Sequence, residues 1–311
     1  MNKLIFFLLI SSFLVAQSKK EICITIDDLP FQQSGSCSTQ IQKYYTDKLV
    51  GKLTAKKIPA VGFVNESKFE VDKKIDQGRV ELLNVWLNSG LELGNHTYSH
   101  KGLHKSSVIE FTKDILNGEK HLRPLIERAG SELRYFRHPY LMTGRSLEIK
   151  DSVNTVLYKN GYTIAPVTVD NSEWIYAFAY QKAINSGDSV LMRRIADEYI
   201  PYMISKVFFY EKQSDKLFSR NIKHVLLMHA NALNADYVDV LLSELSKNGY
   251  KFISLEEALK DPVYQLPDKY IGGAGISWID RWALEKGMKK DFFAGEPRVS
   301  SWMAEYSGYE E

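Results

Sequence analysis

Cysteine is almost absent from this chain, which has only Cys23 and Cys37 among 311 residues. A disulfide-stapled scaffold is therefore excluded, and the fold must rest on a buried core. A bridge between these two is not expected either. Read as a strand, 21–27 places Cys23 on the face of Asp27 but roughly 13 Å below it, at ~3.3 Å per residue. Cys37 lies in the loop beyond the strand's far end, and a disulfide needs Cα atoms within ~7 Å. An excess of one charge is also missing. Lys and Arg number 40, Asp and Glu 38, and the formal net charge is +2. With no basic block, the electrostatic footprint of a nucleic-acid partner is absent. No internal repeat or low-complexity tract occurs, and beyond the first residues no apolar run is long enough to span a membrane.

The N-terminus is the exception. "MNKLIFFLLISSFLVAQS" carries Lys3, an apolar run over 4–15, and then small and polar residues. The run is short for a span and suited to a signal peptide. Residues 1–16 are expected to be removed after Ala16, although Leu14 is not the small residue such a site prefers. Losing Lys3 would lower the net charge from +2 to +1. Export to the periplasm or the medium follows as an expectation.

Short apolar runs recur at 21–27, 59–65, 91–95, 133–140, 162–170, 223–231 and 250–255. Between them lie helix-like stretches at 38–57, 71–89, 106–129, 146–160 and 234–248. This alternation predicts an α/β fold of parallel strands with right-handed crossovers. A doubly wound sheet and a closed barrel both fit it. One connection, 175–222, is oversized, rich in aromatics and helical in period. Its first turns are expected to wall the site, while most of its aromatics, among them Tyr176, Phe178, Tyr180 and Tyr202, are expected to pack the helices onto the barrel. A loop-rich tail follows Asp261.

Reactive side chains collect where the runs end: Asp27 and Asp28, His96 and His100, Arg137, Asp170 and His229. In parallel α/β folds those ends share the face on which active sites form. A strand-end Asp is often only a helix cap, but so many reactive types at one topological position point to chemistry. In "GNHTYSH" two histidines four apart would share one side of a helical turn, a spacing that suits a divalent metal. An aspartate from "ITIDDLP" can complete an Asp-His-His set with a position left open. Two adjacent carboxylates would repel if buried bare. A cation relieves that repulsion, letting one act as ligand and the other as base.

"TIDDLP", "NHTYSH", "RHPY", "VDNSEW" and "LLMHAN" occur in the order seen in polysaccharide deacetylases, carbohydrate esterase family 4 with its NodB homology domain. The chain resembles that family from about residue 21 to 259. The resemblance implies a distorted seven-stranded (β/α) barrel and metal-dependent deacetylation. It implies a catalytic domain at 17–262 with the helical insertion 175–222, and a C-terminal extension at 263–311 packing on it. Carried over by position, it makes Asp27 the base and Asp28, His96 and His100 the metal ligands. Arg137 would orient Asp27 and keep it ionised, and Tyr140 would offer its backbone N–H to the oxyanion. His229 would be the acid, with Leu227 lining the acetyl pocket and Trp174 the substrate pocket. The fourth motif departs from the family pattern, so either Asp170 or Glu173 could tune His229. Zn2+ is the first expectation, with Co2+, Ni2+ or Mn2+ compatible with the ligand set.

The function this implies is an exported hydrolase of non-peptide amide bonds acting on N-acetylated glycans, peptidoglycan N-acetylglucosamine first. Acetylxylan or chitooligosaccharides are alternative substrates, and a glycan-binding pseudoenzyme is a second class. The pair Asp27 and His229 argues against the latter, since binding alone needs neither a base nor an acid.

Overall fold

The structure, a computed structural model, describes residues 19–33 and 37–310; the proposed signal peptide, 1–16, lies outside them. In chain order the elements are β1 (Glu21–Leu29), α1 (Thr39–Ala55), β2 (Ala60–Val64), β3 (Glu70–Val71), β4 (Lys74–Ile75), α2 (Gln77–Asn88) and β5 (Glu92–Asn95). Then follow α3 (Val108–Asn117), α4 (Leu122–Arg128), β6 (Tyr135–Phe136), α5 (Leu147–Lys159), β7 (Thr163–Ile164), α6 (Glu173–Ser186) and α7 (Ser189–Phe218). The chain continues through β8 (His224–His229), α8 (Ala232–Lys247), β9 (Lys251–Phe252), α9 (Leu255–Leu259), α10 (Trp278–Glu285), α11 (Lys290–Phe293) and α12 (Ser301–Ser307).

Each of the seven apolar runs contributes a strand to one parallel sheet, ordered β7-β6-β5-β2-β1-β8 with β9 on β1. The sheet curls until its edges meet in one segment. Thr163 N–H donates to the Arg134 carbonyl on one edge, and Thr168 N–H to the Val225 carbonyl on the other. Val169 bridges Leu226, so the curled seven-stranded sheet forms a distorted half-barrel whose two edges are linked by the segment 163–169. β3 and β4 form a separate hairpin inside a stretch whose period suggested helix throughout.

Alternation along β1 separates two cores. Ile22, Ile24 and Ile26 join the large core beneath the helices. Cys23 joins a smaller cluster with Val61, Phe63, Tyr135 and Val225 inside the curl. Thr25 and Asp27 continue that inner row towards the strand's C-terminal end. Cys23 and Cys37 are both buried and no disulfide joins them.

The expected helix over 106–129 is two helices. Between them, a Cβ on Gly118 would lie 2.6 Å from the Thr97–Tyr98 backbone. The break therefore lets the chain press against the loop that carries the paired histidines. The long connection is α6 followed by the 30-residue α7. α6 begins at Glu173, so Glu173 and Trp174 form its first turn. Among the described residues no helix is long and apolar enough to cross a membrane.

Candidate active site

Asp27 and Asp28 both line one cavity of about 710 Å3, together with His96, His100, Leu227 and His229. Strict alternation would have turned the two carboxylates to opposite faces. A bulge prevents this: Ile26 pairs with Gly62 but Leu29 with Val64, three steps along β1 against two along β2. Asp28 carries φ 70°, a conformation non-glycine residues adopt rarely. Thr97, His100, Tyr140 and Leu141 also have positive φ. Local backbone strain is thus gathered around this cavity, as is common at functional sites.

One aspartate faces the barrel interior. Asp27 lies 3.3 Å from the guanidinium of Arg137, which is fully buried. Arg137 also donates to the Ala165 carbonyl at 2.8 Å and to Thr25 Oγ1 at 3.1 Å. Its guanidinium sits 4.7 Å from the Phe63 ring centre. Arg137 fixes the carboxylate and its charge favours the ionised form, which partly offsets burial. Burial outweighs the charges of Arg137 and His229 and raises Asp27 to about 6.

The second aspartate faces the histidines. Asp28 Oδ1 is 3.5 Å from His100 Nε2. Burial would raise Asp28 as well, but Lys68, His100, His229 and His96 reverse this and hold it well below the usual carboxylate range. His96 and His100 do not lie on a helical turn. They belong to an irregular loop after β5, in which His100 N–H donates to Thr97 Oγ1 at 3.1 Å. Their rings nonetheless meet at 4.8 Å. His96 Nδ1 bonds the Arg137 carbonyl at 2.8 Å, which leaves Nε2 without its proton and turned to the site. Burial keeps His96 well below its ordinary pKa and lowers His100 too, so both are neutral, as metal ligation needs.

Ligand atoms of Asp28, His96 and His100 all lie within 4.8 Å of one another. Asp28 Oδ1 is buried and accepts no hydrogen bond of good geometry. A buried carboxylate beside two neutral imidazoles, with no hydrogen bond of good geometry to this oxygen, fits a divalent cation.

On the other side of the cavity, His229 Nδ1 is 2.7 Å from Glu173 Oε2. Glu173 is fully buried, and its other oxygen accepts from Asn231 at 2.6 Å and Asn234 at 2.7 Å. Burial opposes the imidazolium, but the hydrogen bond and charge of Glu173 prevail and lift His229 to about 9. Asp170, placed among the expected catalytic residues, is not this partner. It lines the cavity, accepts from the Asn171 N–H at 2.9 Å, and is raised to about 6 by burial. α6 starts three residues after Asp170, so Glu173 is the acid delivered to the ring. Tyr140 and Trp174 also line the cavity.

Residues 15–165 match the polysaccharide deacetylase family. Over that stretch, just under half of its length, the chain is similar to that family. The match contains Asp27, Asp28, His96, His100, Arg137 and Tyr140 and stops before Asp170, Glu173 and His229. A peptidoglycan-N-acetylglucosamine deacetylase of Bacillus cereus is 29% identical over 161 residues, 50% of this chain and 47% of that protein. The chain thus spans about half the length of this curated relative. Among solved structures, a family 4 pseudoenzyme from Bacillus anthracis superposes with a TM-score of 0.52 at 17% identity, covering 78% of this chain and 66% of that one. The Bc1960 peptidoglycan N-acetylglucosamine deacetylase gives 0.50 at 19% identity, covering 77% and 88%. At such identities the structural likeness is one of fold, and it agrees with the half-barrel described above.

Several residues at the site follow no pattern in the sequence. Lys68 extends from a single 3-10 turn to within 3.1 Å of Asp28 Oδ1. It also donates to the Asp28 carbonyl at 3.2 Å and the Gln32 carbonyl at 3.3 Å. Asn65 holds the carbonyls of His96 and Thr97, at 2.5 and 3.3 Å. A lysine between strand runs carries no pattern, but Asn65 ends its run as the aspartates do and could have been noticed. His138 and His224 are buried. Burial lowers each to about 3, and His138 stacks on Phe111. Tyr176, Tyr180 and Tyr202 are core residues, as expected for most of the insertion's aromatics, and Phe178, near the start of α6, reaches the cavity.

Proposed function

We propose that this chain is an exported, metal-dependent deacetylase that hydrolyses the acetamide of N-acetylated glycans, with peptidoglycan N-acetylglucosamine the first candidate. The observation that carries the reading is a base and an acid set on two sides of one metal-binding triad. Asp27 is held by Arg137, His229 by Glu173, and Asp28, His96 and His100 lie with them in the same cavity.

A divalent cation held by that triad, Zn2+ first and Co2+, Ni2+ or Mn2+ as alternatives, would polarise the acetyl carbonyl and acidify a water. Asp27, ionised above about pH 6, accepts the proton of the attacking water. The Tyr140 main-chain N–H is assigned to the oxyanion. An amine departs poorly as an anion, and His229, protonated up to about pH 9, supplies the proton it needs. Leu227, 7% exposed on the cavity wall, offers an apolar seat for the acetyl methyl. Support for peptidoglycan comes from the Bacillus cereus relative, and support for export from the N-terminal apolar run. Esters of acetylxylan are the runner-up substrate.

The test is acetate release from peptidoglycan, chitooligosaccharides and acetylxylan, with and without a chelator. Chelator-sensitive release from the amide substrates is expected. No release from any of them, by protein shown to hold metal, would overturn the proposal.

A further inference from the structure

Beyond residue 262 the tail adds to the cavity as well as packing on the barrel. Tyr309 lines the cavity that holds Asp27 and His229. Its ring lies 5.2 Å from Trp174 and 4.9 Å from Phe178, and those two are 6.2 Å apart. Trp174 and Phe178 stand four residues apart on α6, hence on one side of it. Tyr309 arrives from a different part of the chain to complete a three-ring surface.

The tail is anchored where it delivers this ring. Gly308 ends α12 in the left-handed conformation and donates to the Ala304 carbonyl at 2.9 Å. Lys182 on α6 donates to the Tyr306 carbonyl at 2.9 Å. The Arg194 guanidinium sits 3.8 Å from the Trp302 ring centre, and Ser300 donates to Glu198 at 2.8 Å. Tyr309 itself is 41% exposed. A residue needed only for the core would be buried more completely, as Tyr176 and Tyr180 are at 2% each.

The wall adjoins the proton-donating side of the site, because Trp174 directly follows Glu173, the partner of His229. The group protonated there is the amine that stays on the sugar. The saccharide, rather than the departing acetate, must therefore occupy this side. The apolar faces of pyranose rings stack on aromatic rings, which supply rigid area with few torsions to immobilise. A second tail segment meets the site at Tyr140. A Cβ on Gly275 would lie 1.7 Å from the Tyr140 carbonyl oxygen, so only glycine lets this loop sit on that turn.

We propose that Tyr309, Trp174 and Phe178 form a stacking subsite for a second pyranose ring next to the one being deacetylated, which makes the C-terminal tail a determinant of saccharide specificity. This rests on the deacetylase reading above. The subsite predicts that turnover efficiency climbs from the monosaccharide to the disaccharide, because only the latter places a ring on the wall.

The experiment compares N-acetylglucosamine, chitobiose and chitotetraose as substrates of the metal-loaded full chain, its Tyr309→Ala and Tyr309→Phe variants, with acetate measured and melting temperature recorded. The wild type should gain at least about tenfold in kcat/KM from mono- to disaccharide, the size expected from burying roughly two CH groups of a sugar face. Tyr309→Ala should lose most of that gain through KM while keeping its monosaccharide rate and melting temperature, and Tyr309→Phe should restore it. An equal loss on all three sugars, a lowered melting temperature with the loss, or no loss at all would each overturn the subsite while leaving the deacetylase reading intact. No acetate from any sugar or from peptidoglycan in the wild type would overturn that reading and the subsite with it.

Discussion

Glu173→Gln tests the acid arm most directly. In the structure one Glu173 oxygen faces His229 Nδ1 at 2.7 Å and the other takes two amide donors, from Asn231 and Asn234. Glutamine is nearly the same size, so packing is preserved. Its single oxygen can serve the two asparagines, which leaves its NH2 facing Nδ1. A ring that must accept there cannot be imidazolium. The lift of His229 from its ordinary 6.5 to about 9 corresponds to about 3 kcal/mol of preference for the protonated ring. Removing it should bring the alkaline limb of kcat/KM from about 9 down to 6.5 or below. At about pH 8 the protonated fraction then falls roughly 30-fold, and the rate with it. Near pH 6 the loss should be only a few-fold, and the acid limb set by Asp27 should not move. The same pair has a stability signature. Its folded pKa is the raised one, so the stabilisation is complete below about 6.5 and disappears as pH climbs to about 9. Thermal melts of the wild type should show that decline, and those of the variant should not. Acetate release from chitotetraose between about pH 5 and 10 is the assay. An alkaline limb unmoved in Glu173→Gln would refute the assignment of His229 as an acid governed by Glu173.

Three further outcomes are expected. Asp27→Asn should retain about one metal per chain by elemental analysis while the rate drops ~10² or more, whereas His100→Ala should lose metal and rate together; full activity in Asp27→Asn would dismiss it as the base. Lys68→Met removes the ammonium 3.1 Å from Asp28 Oδ1, so zinc should bind about tenfold more tightly and the metal-free protein should melt lower, since a buried carboxylate loses its counter-charge; an unchanged zinc titration would limit Lys68 to clamping the loop. Tyr176→Ala should lower stability by ~3–5 kcal/mol in denaturant melts, as for other buried aromatics, while Phe178→Ala, at the cavity, should change KM with little effect on the melt.

The seven strands were readable because apolar runs bounded by polar residues survive in any α/β fold, although β6 and β7 pair over only two residues each. Asp28, His96 and His100 were readable because their side chains cluster at strand ends. Their local conformation was not. The histidine loop owes its shape to Thr97 and His100 in the left-handed region and to Asn65 and Asn95 holding its main chain. Spacing alone suggested a helical turn that does not form. The choice between Asp170 and Glu173 depends on where α6 begins, and a boundary of three residues is finer than a periodicity can resolve. Lys68 and Tyr309 enter the cavity from a 3-10 turn and from the chain's last residues. Contacts of that kind are set by tertiary packing and leave no local pattern to read.

The pairing of β1 fixes an order of assembly. Its register with β2 and, through it, β5 joins residues within the first hundred of the chain, and β1 together with the loop after β5 carries Asp28, His96 and His100. Its other neighbour, β8, pairs Ile22 with His224 and Asp27 with His229, about two hundred residues later. A polypeptide made from its N-terminus therefore holds one flank of β1 bare for most of its synthesis, with the means to gather a cation already translated and the proton donor still to come. Such distant pairing slows folding and prolongs exposure of an open strand edge. A nascent chain halted before residue 224 should thus take up zinc without being able to turn over, and should look to a chaperone like an unfinished sheet.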